Sequence, residues 1–251
     1  MASRSEQRLT KRQQKLNERG TSAKVVSISQ LNMELVRVDP MTENQTKFFT
    51  AYNQEEHICL LGCAGTGKTF ISLYQALKEI ADRSSLRRKL IIVRTPQPTK
   101  AIGFLPGDEK KKNEVYESAY RGLCAELYGR ADAYEILKQK GIIEFHGTSF
   151  LRGTTIDNAI ILIDEAQSQT YMELKTVVTR TGSNSRILIC GDIRQDDLTS
   201  ERYKEVSGLP VLLKVFNKMD GLRMIEFTPD DIVRSGFVKS FIEAEYALGI
   251  F

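Results

Sequence analysis

The chain has 251 residues, of which 41% are apolar and 27% charged, with a net charge of +4, an ordinary balance for a soluble globular protein with one sizeable core. No apolar run approaches the roughly 18 residues that cross a bilayer, and the N-terminus lacks the hydrophobic centre of a signal peptide, so a cytoplasmic protein without membrane contact is expected. Cys59, Cys63, Cys124 and Cys190 form no C-x-x-C pair; this argues against a zinc site and makes Cys59 and Cys190 small apolar core residues of a reducing cytosol.

Residues 1–24 carry seven basic side chains against two acids, a surplus of +5 that leaves about −1 for residues 25–251. Such an arm suits an auxiliary contact with a phosphate backbone, and a solvated tail fits equally well. It runs into VVSISQ and LVRVDP, two short β-like stretches, the second ending at Pro40. Helical spacing of Phe48, Phe49 and Tyr52 marks a helix over Thr42–Tyr52. Six short apolar runs follow: HICLLG, KLIIVRT, GIIEF, AIILID, RILICGD and RMIEFT. Each is bounded by charge or glycine, as for strands covered on both faces. Helix-like segments lie between them at Thr69–Ala81, Lys112–Leu127, Ala131–Lys140, Tyr171–Arg180 and Pro210–Lys218. The alternation predicts βαβ crossovers and a mainly parallel sheet with helices on both faces, with ligands at the carboxyl ends of the strands.

Gly62-Cys63-Ala64-Gly65-Thr66-Gly67-Lys68-Thr69 matches G-x-x-x-x-G-K-[ST] between an apolar run and a helical segment. Glycines let the backbone turn its N–H groups toward phosphates, and the helix that follows adds its positive N-terminal end. Lys68 is expected to reach the β- and γ-phosphates, and the Thr69 hydroxyl to ligate Mg²⁺. The nucleotide-binding set is completed by Phe70 and, from the resemblance given below, Gln45.

AIILIDEAQ ends a buried-type strand on Asp164 and Glu165. Asp164 is expected to hold the Mg²⁺ water shell and Glu165 to polarise the attacking water. The next strand ends on Gly191, which would let the backbone turn near the nucleotide, and leads to Asp192 and Gln195. Gln195 is placed to report on the γ-phosphate or the lytic water. Asn217-Lys218-Met219-Asp220 spells the N-K-x-D of guanine-reading GTPases, but no D-x-x-G follows Asp164. The stretch LPVLLKVFNKMDG reads better as an amphipathic helix closed by Gly221.

With these residues in place, the chain resembles the PhoH family over roughly residues 42–246. The resemblance rests on GCAGTGKT, VRTPQPTKAIGFLPGD, FLRGTTIDNAIILIDEAQSQT, TRTGSNSRILICGDIRQDDL and DIVRSGFVKSF, in that order. It implies a RecA-like P-loop NTPase similar to the motor core of superfamily 1 helicases, with ATP and Mg²⁺ as cofactors. Such an enzyme would act on RNA or single-stranded DNA. The chain then divides into a basic arm (1–24), an extension (25–41) and an ATPase domain (42–251). By the same resemblance Gln45 hydrogen-bonds adenine, while Arg94, Phe104 and Arg152 face the nucleotide or the nucleic acid. Arg234 would take the arginine-finger task, delivered from a neighbouring subunit if the chain forms the hexameric ring associated with the family; a structural salt bridge is the alternative. The VRSG after Ile232 departs from the family's VVRHP-type end, and nothing suggests a nuclease. An ATP-regulated ring acting on a protein partner, without helicase activity, is the competing function; a small-molecule kinase would need an acceptor pocket and a lid that the sequence does not announce.

Overall fold

The computed structural model describes residues 31, 33–95, 109–148, 153, 155–194 and 206–249. The arm 1–24 and VVSISQ lie outside the described residues, as do Phe104, Arg152 and Gln195. In chain order the elements are α1 (Glu43–Asn53), β1 (His57–Gly62), α2 (Lys68–Ala81), β2 (Lys89–Val93), α3 (Glu109–Tyr128), α4 (Ala133–Gln139) and β3 (Ile143–His146). They are followed by β4 (Ala159–Ile163), α5 (Tyr171–Val178), β5 (Arg186–Gly191), α6 (Leu209–Phe216), β6 (Leu222–Phe227) and α7 (Gly236–Leu248).

The strands form one six-stranded sheet in the order β3-β2-β4-β5-β1-β6, and every pair is parallel. Successive side chains of a strand point to opposite faces, and the core divides accordingly. Ile58 and Leu60 of β1, with Leu90, Ile92, Ile160 and Leu162, pack against α1 to α4. Cys59 and Leu61, with Ile91, Val93, Ile161 and Ile163, pack against α5 and α6. Both faces of β1, β2, β4 and β5 are covered, which is why these strands read as unbroken apolar runs; the edge strands depart from the expectation, β3 alternating and β6 leaving Arg223, Met224 and Glu226 exposed. Cys59 and Cys190 are core residues, as expected. The result is the α/β, RecA-like arrangement: β5 separates the strand leading into the glycine loop from the strand ending in Asp164. Among the described residues, no helix is long and apolar enough to cross a membrane.

Three expectations are corrected. LVRVDP forms no strand; instead the Val36 N–H donates to the Leu127 carbonyl at the end of α3, 2.8 Å away, and Met33 is buried in the core. The helix before the N-K-x-D tetrapeptide ends at Phe216, with Asn217 as its C-cap. Gly221 holds a left-handed φ of 81° in the turn that follows. α7 has no counterpart among the expected helices.

Candidate functional site

The turn after β1 is built by three glycines in the left-handed region: Gly62 at φ 115°, Gly65 at 77° and Gly67 at 80°. Gly67 is the N-cap of α2, so the chain passes from strand through this loop into a helix whose first-turn N–H groups have no partners within the helix. These amides and the helix's positive end face a cleft of about 340 Å³ at the carboxyl ends of β1, β4 and β5. The cleft is lined by the loop from Ala64 to Phe70 and, across from it, by Arg94, Tyr120, Asp164, Glu165 and Arg234.

Lys68 extends along its own loop, donating to the carbonyls of Gly62 (2.6 Å) and Cys63 (2.7 Å). The Thr69 hydroxyl donates to Asp164 Oδ1 at 2.8 Å, and the Tyr120 hydroxyl donates to Oδ2 of the same carboxylate at 2.7 Å. Asp164 is 3% exposed. Burial, reinforced by the neighbouring Glu165 charge, pushes its carboxyl above the ordinary carboxylate range, against the opposing pull of Tyr120, Thr69 and Arg94. A buried carboxylate oxygen paired with a hydroxyl just behind the phosphate loop is a donor set that fits Mg²⁺, which takes oxygen ligands and keeps places for water and phosphate.

Glu165 adopts a left-handed φ of 51°, unusual for a residue with a side chain. Gln167, two residues on, donates to Glu165 Oε2 at 2.6 Å and accepts from the Asp192 N–H at 3.0 Å. One amide side chain therefore ties the end of β4 to the end of β5. Gly191 makes room for α6 and for this tie: a Cβ there would meet Leu209 at 2.8 Å and Gln167 at 3.3 Å.

Gln45 lies under the loop. Its side chain donates to the Thr66 carbonyl at 3.0 Å and accepts from the Met41 N–H at 2.8 Å, and it is 3% exposed. Arg94, grouped at sequence level with residues facing the nucleotide or the nucleic acid, stands in the wall of the phosphate cleft and stacks on Tyr116, 5.6 Å from the ring centroid. Burial alone would lower its pKa, but Tyr120, Asp164 and Glu165 hold it above its ordinary value. Arg234, considered for delivery to a neighbouring subunit, lines the cleft of its own chain; a Cβ on Gly65 would come within 3.0 Å of its Cγ. The structure thus gathers Lys68, Thr69, Asp164, Glu165, Arg94 and Arg234 around one cleft. Asn217–Asp220 lie at the other end of the sheet, where the adjoining Gly221 carbonyl accepts from the N–H of His57 at the start of β1, too far to read a base bound at the loop.

Tyr120 and Gln167 are the contributors that sequence reasoning missed. Gln167 stands inside the quoted run AIILIDEAQ, so its nearness to the acidic pair was a usable signal. Tyr120 sits in a helix 44 positions from its partner, and nothing local marks it.

A family model described as PhoH-like protein matches residues 37–246. A PhoH-like protein of Bacillus subtilis (strain 168) is 35% identical over 204 residues, covering 81% of this chain and 62% of the relative. Protein PhoH of Escherichia coli (strain K12) is 32% identical over 205 residues, covering 80% of this chain and 56% of the relative. The chain therefore spans less than two thirds of the length of these relatives. Among solved structures, the large terminase from the thermophilic bacteriophage D6E is similar with a TM-score of 0.48 and 15% identity, over 83% of this chain and 51% of that one.

Proposed function

Because the chain belongs to the PhoH-like protein family, we propose that it is an ATPase that binds ATP with Mg²⁺ in the cleft behind the glycine loop and couples its hydrolysis to binding or remodelling RNA or single-stranded DNA. One observation carries the proposal: Thr69, at the start of α2, and Asp164, at the end of β4, meet at 2.8 Å beside the glycine loop that lines the cleft. The bound cation would neutralise charge on the β- and γ-phosphates. Lys68 would exchange its loop carbonyls for phosphate oxygens, and the Thr69 hydroxyl and Asp164 would hold the shell of a bound Mg²⁺. Glu165, fixed by Gln167, takes the proton of the attacking water. Arg234 and Arg94 supply positive charge from this chain's own cleft wall toward the transferring phosphate. Gln195 is assigned the sensing of hydrolysis, and Phe104, Arg152 and the arm 1–24 the contact with nucleic acid.

ATP turnover measured with a panel of RNA and DNA strands tests the coupling. Stimulation by single strands, with a salt dependence that flattens when residues 1–24 are deleted, is the expected result. Turnover indifferent to every strand at low salt counts against the nucleic-acid role.

A second reading, a ring that uses ATP to control assembly, draws on α7. None of its 13 residues is buried, and Phe237 and Leu248 are 84% and 72% exposed, an apolar surface of a kind that often marks contacts between proteins. Mass measurement with and without ATP, beside a strand-displacement assay, separates the two: assembly without displacement favours the second.

A further inference from the structure

Tyr120 lines the cleft and belongs to neither the glycine loop nor the acidic pair. Tyr120 projects from α3 and is fully buried. Its ring lies 5.7 Å from that of Phe145 on β3, which fixes the hydroxyl's approach. That hydroxyl donates to Asp164 Oδ2 at 2.7 Å while Thr69 takes Oδ1 at 2.8 Å. Arg94 lines the same cleft. A continuous series, Tyr120–Asp164–Thr69, thus crosses from α3, through the end of β4, to the start of α2.

A carboxylate turns about its last side-chain bond with little resistance unless both oxygens are held. Thr69 alone cannot hold it, because in the proposed cycle its hydroxyl serves the metal as well. We propose that Tyr120 is a positioning residue for the metal site: by occupying Oδ2, it keeps Oδ1 of Asp164 turned toward Thr69, the pair that would hold Mg²⁺. Neighbours that orient a metal's ligands commonly carry about 10- to 100-fold in metal affinity. The inference rests on the reading of Asp164 as the Mg²⁺ carboxylate, and its test keeps the two apart.

The full chain is titrated with a fluorescent ATP analogue over a range of free Mg²⁺ and also in EDTA, as the parent and as Tyr120→Phe, Tyr128→Phe and Asp164→Ala. Tyr128 is the control, a buried tyrosine on the same helix whose hydroxyl has no hydrogen-bond partner. Tyr120→Phe is expected to need roughly tenfold more Mg²⁺ for half-maximal tightening of nucleotide binding. Its affinity in EDTA should equal the parent's, and saturating Mg²⁺ should restore its turnover. Tyr128→Phe should match the parent throughout. A Tyr120→Phe midpoint equal to the parent's, with Asp164→Ala insensitive to Mg²⁺, overturns the inference and leaves the metal site standing. A parent whose binding ignores Mg²⁺ overturns both. Should Tyr120→Phe fail to fold, Phe145→Leu loosens the ring while keeping the hydroxyl; an unchanged Mg²⁺ midpoint there also refutes the positioning role.

Discussion

Placing two adjacent acids at the tip of a buried strand is costly unless each has a partner. Asp164 has two hydroxyl donors, Thr69 and Tyr120, and Glu165 has the Gln167 amide. Glu165, held at a left-handed φ of 51°, lines the cleft, where a base can reach water. Glu165→Gln should therefore bind ATP as the parent does while turning over about 10²–10⁴-fold more slowly. Single-turnover phosphate release checks this, and equal rates would remove Glu165 from the chemistry. Lys68, Thr69, Asp164 and Glu165 were legible because a loop motif and an acidic strand end are local patterns. Tyr120 was not, since its role arises only when α3 crosses the end of β4.

The central strands, at the scale of elements, were legible from their apolar runs because they are buried on both faces. The stop of α6 was misplaced, for Gly221 turns the chain into β6 rather than capping the helix. α7 escaped notice because no core burial imposes a stripe on it. Two predictions belong here. Gly62 sits where β1 turns beside β6, and a Cβ would collide with the Phe227 backbone carbonyl at a φ that side chains avoid. Gly62→Ala should cost roughly 2–4 kcal/mol, a fall in Tm on the order of 10 °C by calorimetry; a fall under 2 °C would show that β6 yields. At the other sheet edge, the His146 ring nitrogen and the Lys89 ammonium hold the Glu144 carboxyl down to about 2. This acid is depressed in the folded state, so its stabilisation is present above the unfolded value near 4.5 and lost as pH falls toward 2. Partial exposure limits it to about 1 kcal/mol. Denaturant midpoints should fall less steeply between pH 4.5 and 2 in Glu144→Gln than in the parent, and parallel slopes would refute the assignment.

For the whole molecule, strand order matters more than any single contact. With β5 between β1 and β4, the glycine loop and Asp164 stand on either side of one crevice at the carboxyl ends of the sheet, where open α/β sheets bind ligands. The helices on the α1–α4 face deliver Tyr120 and the start of α2, and the segment after β6 brings Arg234 over the loop, so one chain furnishes every described member of the cleft. Lys68, Arg94 and Arg234 line it against Asp164, Glu165 and Asp192, an even balance that suits a polyanion carrying its own cation. Calorimetric titration of ATP, with and without Mg²⁺, into the full chain and into Lys68→Ala tests this account most directly. The parent should bind ATP, more tightly with Mg²⁺, and Lys68→Ala should lose most of that affinity. No heat from the parent at millimolar ATP, or equal binding by both proteins, would contradict it.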